Sequence, residues 1–202
     1  MFSKKAIEIF NQATRDYKKT EIIDQTFINK YKIDEEYIES VLYKKAWIDT
    51  VQWAYEDIIR DPEIDPAEAL SIKRKIDASN QERTDTVELL DDYFLKKYSN
   101  VKISQDASIN TESPAWALDR LSILELKIYH MRIEANRIDA SENHKEKCSL
   151  KLEVLIQQRE DLSLAIDELL QEISKGKKYM KTYKQMKMYN DEELNPILRK
   201  NK

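Results

Sequence analysis

IKRKIDASNQERTDTVELLDDYF, residues 72–94, decides the fold. Ile72, Ile76, Val87, Leu90 and Phe94 fall on one line with positions 80 and 83, in steps of four, four, three, four, three and four. That spacing returns side chains to one face of a 3.6-residue helix, whereas the faces of a strand alternate every second residue. A helix is therefore predicted from Asp65-Pro66 to about Tyr98. Asp65 supplies the N-cap, and the fixed φ of Pro66 suits the first helical position. Two positions on the apolar line, Asn80 and Arg83, are polar.

Working outward, the rest of the chain repeats the helical pattern. With one glycine and four prolines in 202 residues, tight strand-to-strand turns are poorly supplied, so the fold class is all-α. Residues 3–19 carry Ile7, Phe10, Ala13 and Tyr17 at helical spacing. A second helix is expected from a cap at Asp34 to the Asp61-Pro62 pair, because a residue before proline is pushed out of the α region. Its stripe reads Ile38, Val41, Leu42, Ile48, Val51, Tyr55, Ile58 and Ile59. Residues 100–112 have no period and read as a long loop, and Ser113-Pro114 opens a fourth helix with a stripe running to Ile138. Ser141 caps a fifth, on which Cys148, Leu152, Leu155, Arg159, Leu162, Ile166, Leu169 and Ile173 line up, and Gly176 suits its left-handed C-cap. Helices four and five, joined by two or three residues, form an antiparallel hairpin. The expected architecture is one domain over 1–202, an antiparallel bundle of about five long helices. Residues 1–33 form a first helix and link, 34–174 the bundle, and 175–202 a Lys/Tyr/Met-rich arm.

The net charge of −4 argues against a general nucleic-acid surface, which needs an excess of Lys and Arg to displace counterions. Six lysines and no acid lie between Lys175 and Tyr189, interleaved with tyrosine and methionine. Such an arm either packs its rings on an acidic bundle or meets an anionic surface. The basic start MFSKKAIEIFNQ has no sustained apolar stretch behind it, so neither a signal peptide nor a membrane span is expected, and the chain reads as soluble and cytoplasmic. The single cysteine, Cys148, lies on an apolar stripe and fits a buried thiol in a reducing compartment.

The chemistry is carried by arginines. Arg83 on the third helix and Arg159 on the fifth are aimed inward, and an unpaired buried guanidinium costs several kcal/mol. Each must meet a carboxylate, a carbonyl or an anionic ligand. Glu56, Asp57, Asp85, Glu88 and Asp119 are the candidate partners. Asn110, Thr111 and Glu112 lead into the start of the fourth helix, with Asp119 and Arg120 about two turns inside, where free amides and Arg120 would attract an anion. Two readings stay open: a buried ion-pair network that fixes bundle register, and a ligand site built from Arg60, Asn80, Gln81, Arg83, Asn110, Glu112, Asp119, Arg120 and Arg159.

A second chemistry would use Glu56, Asp57, Asp85, Glu88 and Asp91 as ligands for Mg²⁺ bound to substrate phosphates, as in all-α nucleotide pyrophosphohydrolases. The bland counterpart is a solvated, salt-bridged face. Di-iron, zinc and glycine-rich phosphate sites find no matching pattern: neither His130 nor His144 follows an acid by three residues, and one glycine cannot build a phosphate loop. His144 shares a helix face with Cys148 only through i, i+4 spacing. Trp47, Trp53 and Trp116 are not clearly buried by the stripes, which leaves a homo-oligomeric, structural role as a third reading.

Taken together, WAYEDIIRDP, KRKIDASNQERTDTVELLDDYF, NTESPAWALDRLSILELKIYHM, QQREDLSLAIDELL and YKQMKMYNDEELNP resemble an uncharacterised bacterial family, domain of unknown function 4254, over about residues 40–198. The pattern Asn-Gln-x-Arg-x-Asp-x-x-Glu-x-x-Asp falls on Asn80, Gln81, Arg83, Asp85, Glu88 and Asp91. The Glu-Asp pair with its arginine falls on Glu56, Asp57 and Arg60, and the Asp-Arg pair on Asp119 and Arg120. The resemblance implies a helical protein without assigned activity, whose genes often lie beside lipopolysaccharide glycosyltransferase genes. A glycosyltransferase or an anionic sugar-phosphate ligand is the implied partner. Members often carry histidine after the tryptophan of Trp-x-x-Glu-Asp; here that position is Ala54, which weakens a catalytic reading.

Overall fold

Asp65-Pro66, Ser113-Pro114 and Ser141 start helices where the sequence places them. The structure is a computed structural model that describes residues 1–20, 22–35, 37–185, 188 and 191–200. α1 spans Phe2–Tyr17, α2 Tyr37–Ile58, α3 Pro66–Lys97, α4 Pro114–Ala135, α5 Glu142–Ser174 and α6 Pro196–Lys200. Two short strands, β1 Ser108–Ile109 and β2 Lys178–Tyr179, complete the described elements. The fold is all-α in character. Asp65 Oδ1 accepts from the amides of Ala67 and Glu68 with Pro66 behind it, and the Ser113 and Ser141 hydroxyls cap α4 and α5 in the same way. Each satisfies donors that a helix start leaves without a partner.

The core is built where five helices meet. Phe10 and Ala13 of α1, Leu42 and Ala46 of α2, Leu90 and Phe94 of α3, Leu118 and Leu121 of α4, and Ile166 and Leu170 of α5 form one buried cluster. Trp47 is buried edge-on to Tyr17, with ring centroids 5.4 Å apart, and also meets Phe27. Trp116 packs half-buried on the same core. A smaller cluster of Tyr55, Ile72 and Ile76 holds the far end of α2 to the start of α3. Among the described residues, no helix is long and apolar enough to cross a membrane.

Four expectations change. α2 begins at Tyr37, three residues after Asp34. α4 stops at Ala135, where Asn136 turns its side chain back to the Arg132 carbonyl, so Ile138 is off the stripe and 96% exposed. The link to α5 is consequently residues 136–141, longer than the two or three expected. The 100–112 segment is also more than a loop, because β1 pairs in parallel with β2 (Ser108 with Lys178, Ile109 with Tyr179). A two-residue ladder is too short to leave a period in sequence. The arm behaves in two ways: Met180 packs on the core while Tyr183 is exposed. Met186, Lys187 and Tyr189 lie outside the described residues.

Candidate functional site

The most buried charge in the bundle is Lys45 of α2, 0% exposed. One turn on, Asp49 faces it, and the i, i+4 spacing places both on the side of α2 that meets α4. Lys45 Nζ also lies 3.0 Å from Oδ1 of Asp119 on α4, and Ser122 of α4 donates to Asp49 Oδ2 at 2.6 Å. Arg83 of α3 joins through Nε, 3.8 Å from the same Asp119 oxygen. Two cations and two carboxylates from three helices thus balance one another. Burial pushes the Asp49 carboxyl above the usual range, against the pull of Lys45.

The cluster is not closed. Asp49 Oδ1 and Arg83 Nε are buried without a hydrogen-bond partner among the described residues. Arg83's side chain is 28% exposed and lines a cavity of about 370 Å³ together with Asp49, Gln52, Trp53, Glu56, Asp57, Arg60 and Ile123. Gln52 Nε2 donates to Asn80 Oδ1 at 3.0 Å, tying α2 to α3 beside this cavity. Trp53 stacks on His130 of α4, centroids 4.6 Å apart and nearly parallel. Burial, with Lys18 nearby, lowers the His130 pKa, so the imidazole is held neutral. The histidine expected beside this tryptophan is Ala54 here, yet an imidazole reaches the same ring from another helix.

The sequence-derived site residues therefore divide. Arg60, Arg83, Glu56 and Asp57 share this cavity, with Asp119 behind Arg83 and Asn80 beside Gln52. Asn110, Glu112, Asp119 and Arg120 line a second, wider cavity of about 830 Å³ between α4 and α5. There Arg120 pairs with Glu112 at 3.2 Å and Lys178 with Glu172 at 3.0 Å, so both of these cations already face carboxylates. Asn110 is held by backbone pairing to Tyr179 and by its own bond to the Glu112 carbonyl. Arg159 lies apart, 3.8 Å from the buried Glu125, which also takes Asn11 at 2.7 Å. Gln81 bonds to Asp85 on the exposed face of α3.

The proposed metal carboxylates do not converge. Glu56 is engaged by Arg60, Asp57 and Asp85 are exposed, Glu88 accepts the Gln185 amide, and Asp91 is buried beside Ser113 at the start of α4. Among the described residues, no three Asp, Glu, His or Cys side chains form a group that could hold a metal ion. Cys148 is buried, with Sγ 3.4 Å from His144 Nε2. Glu134 meets that same nitrogen at 2.9 Å, so the imidazole cannot both take the thiol proton there and be oriented by the carboxylate from behind.

Lys45 and Asp49 escaped the sequence reading. The signal was available: Lys45 stands four after Val41 and three before Ile48, a polar residue on the apolar line of α2, just as Arg83 is on α3.

A family model described as "Protein of unknown function (DUF4254)" matches residues 39–182. The chain belongs to this family. No curated protein and no solved structure matches it. The DUF4254 region contains the whole Lys45–Asp49–Asp119–Arg83 cluster and every residue lining the smaller cavity. It leaves out α1, which buttresses the region through Asn11 on Glu125 and Thr14 against Thr50.

Proposed function

We propose that the chain is a binding module for a small anionic, phosphate-bearing ligand, held between α2, α3 and α4 with Arg83 and Arg60 as its cations. Arg83 carries this reading. The Asp119 oxygen is 3.8 Å away, beyond hydrogen-bond length. Arg159 stands at the same 3.8 Å from its own carboxylate, but Arg83 differs in lining a cavity that a second arginine, Arg60, shares. The planar fork of donors on Arg83 matches phosphate geometry. Arg60 is the second cation; its pair with Glu56 is largely exposed, a kind of contact worth about 0–1 kcal/mol and readily exchanged for a ligand.

The family resemblance makes cell-surface glycan assembly in the bacterial cytoplasm the setting we favour, with phosphosugars and sugar nucleotides as first ligands to try and a glycosyltransferase as the associated enzyme. Hydrolysis of a phosphoester with Mg²⁺ gains no support from the scattered carboxylates.

Isothermal titration with inorganic phosphate, glucose 1-phosphate and UDP-glucose tests the proposal. Saturable binding of at least one is expected, weakened roughly tenfold or more, about 1.4 kcal/mol, in Arg83→Met with an unchanged circular dichroism spectrum. Folded protein that binds none of the three overturns it.

A further inference from the structure

We infer that the ligand of the α2–α3–α4 cavity carries a hydroxyl group as well as its phosphate, that it enters hydroxyl end first, and that Asp49 selects for that hydroxyl. The inference rests on the anion-binding reading above. Asp49 is 3% exposed. Its Oδ2 is occupied by Ser122 and faces Lys45, whereas Oδ1 takes no hydrogen bond among the described residues. Facing the Lys45 ammonium, the carboxylate is held as an acceptor, and leaving its second oxygen buried and unmatched is unfavourable. A phosphate brings its negative charge against the Asp49 carboxylate, whereas a neutral hydroxyl donates to Oδ1 without that repulsion.

Exposure sets the orientation. Along the cavity wall Asp49 is buried, Arg83 is about a quarter exposed and Arg60 about two-thirds exposed. The acceptor therefore lies deep and the cations lie toward the mouth. A hydroxyl-bearing organic phosphate matches that polarity, with its phosphate staying where water and the two guanidinium groups share it.

Isothermal titration of the full chain with ethyl phosphate, glycerol 3-phosphate and glucose 1-phosphate separates the two ideas. The hydroxylated phosphates are expected to bind roughly tenfold or more tighter than ethyl phosphate, because a site that hydrogen-bonds a hydroxyl rejects the analogue lacking it. That preference is expected to collapse in Asp49→Asn. Equal affinity for all three overturns the inference and leaves anion binding standing, as does a preference that survives Asp49→Asn. Binding of none overturns the inference, and the anion-binding reading then falls only if inorganic phosphate and UDP-glucose fail as well. If Asp49→Asn does not fold, the carboxyl ¹³C resonance of Asp49 in the wild type is followed instead. Movement with glycerol 3-phosphate but not with ethyl phosphate supports the inference; any other pattern overturns it.

Discussion

Lys45 has no exposed surface and two carboxylates within reach, which makes it the residue on which the site's charge balance turns. Removing one member of a buried ion network leaves the others uncompensated, typically at about 3–5 kcal/mol. Lys45→Met is expected to lose about 3 kcal/mol in urea unfolding at pH 8 and less at pH 5, because Asp49, already pushed upward by burial, can then take a proton. A second titration belongs to Asp91, whose carboxyl is raised by burial and by Asp92 and Glu88, against the Ser113 hydrogen bond. A raised carboxyl contributes stability below its unfolded value and loses that contribution as pH climbs through the folded value. Asp91→Asn is accordingly expected to raise the urea midpoint at pH 7, with the gain shrinking toward pH 4. A midpoint that falls at both pH values would show that the carboxylate's charge at the start of α4 outweighs its burial.

At the scale of elements, the end of α5 is latched by its one glycine. Gly176 has φ +69°, and a Cβ there would stand 2.2 Å from the Lys102 carbonyl oxygen. The amide of Ser104 donates to the Gly176 carbonyl at 2.9 Å, and the β1–β2 ladder follows directly. Gly176→Ala adds a left-handed cost of about 1–2 kcal/mol to that clash. Its expected signature is faster tryptic cleavage after Lys102 together with a lowered unfolding midpoint. The cap of α4 is a milder test: Ser113→Ala is expected to cost about 1 kcal/mol, read from the same unfolding curve. Sequence marked Gly176 as the left-handed residue that ends α5, just past its cap Lys175, but the segment it clasps is more than seventy residues earlier in the chain, and nothing local names that partner.

Over the whole molecule, packing is uneven. Beyond Ile128 the described part of α4 has no buried residue, and α5 has only Cys148 before Ile166. Ile133, Leu150 and Val154 are about half exposed there. Past His130, where Trp53 of α2 still stacks, the tip of the hairpin is thus held mainly by α4 against α5, whereas its base is gripped by α1, α2 and α3. Native-state hydrogen exchange is expected to show amides of residues 129–158 opening at lower free energy than those of 41–50 and 87–94. Uniform protection across both regions would contradict this division.

Sequence by itself determined the five long helices and the starts of α3, α4 and α5. Helical period, Asp65-Pro66, Ser113-Pro114 and Ser141 are local signals, and each acts through backbone geometry within one turn. It also marked Asn80 and Arg83 as polar intruders on an apolar stripe. Only the tertiary structure decided what they meet. Arg83 lies against Asp119 and a cavity shared with Arg60, while Arg159 goes to Glu125 and Gln81 to the surface. The pairing of Lys45 with Asp119, across more than seventy residues, depends on how α2 and α4 cross. Crossing is set by the summed packing of their apolar faces, a property that no single stretch of the chain contains.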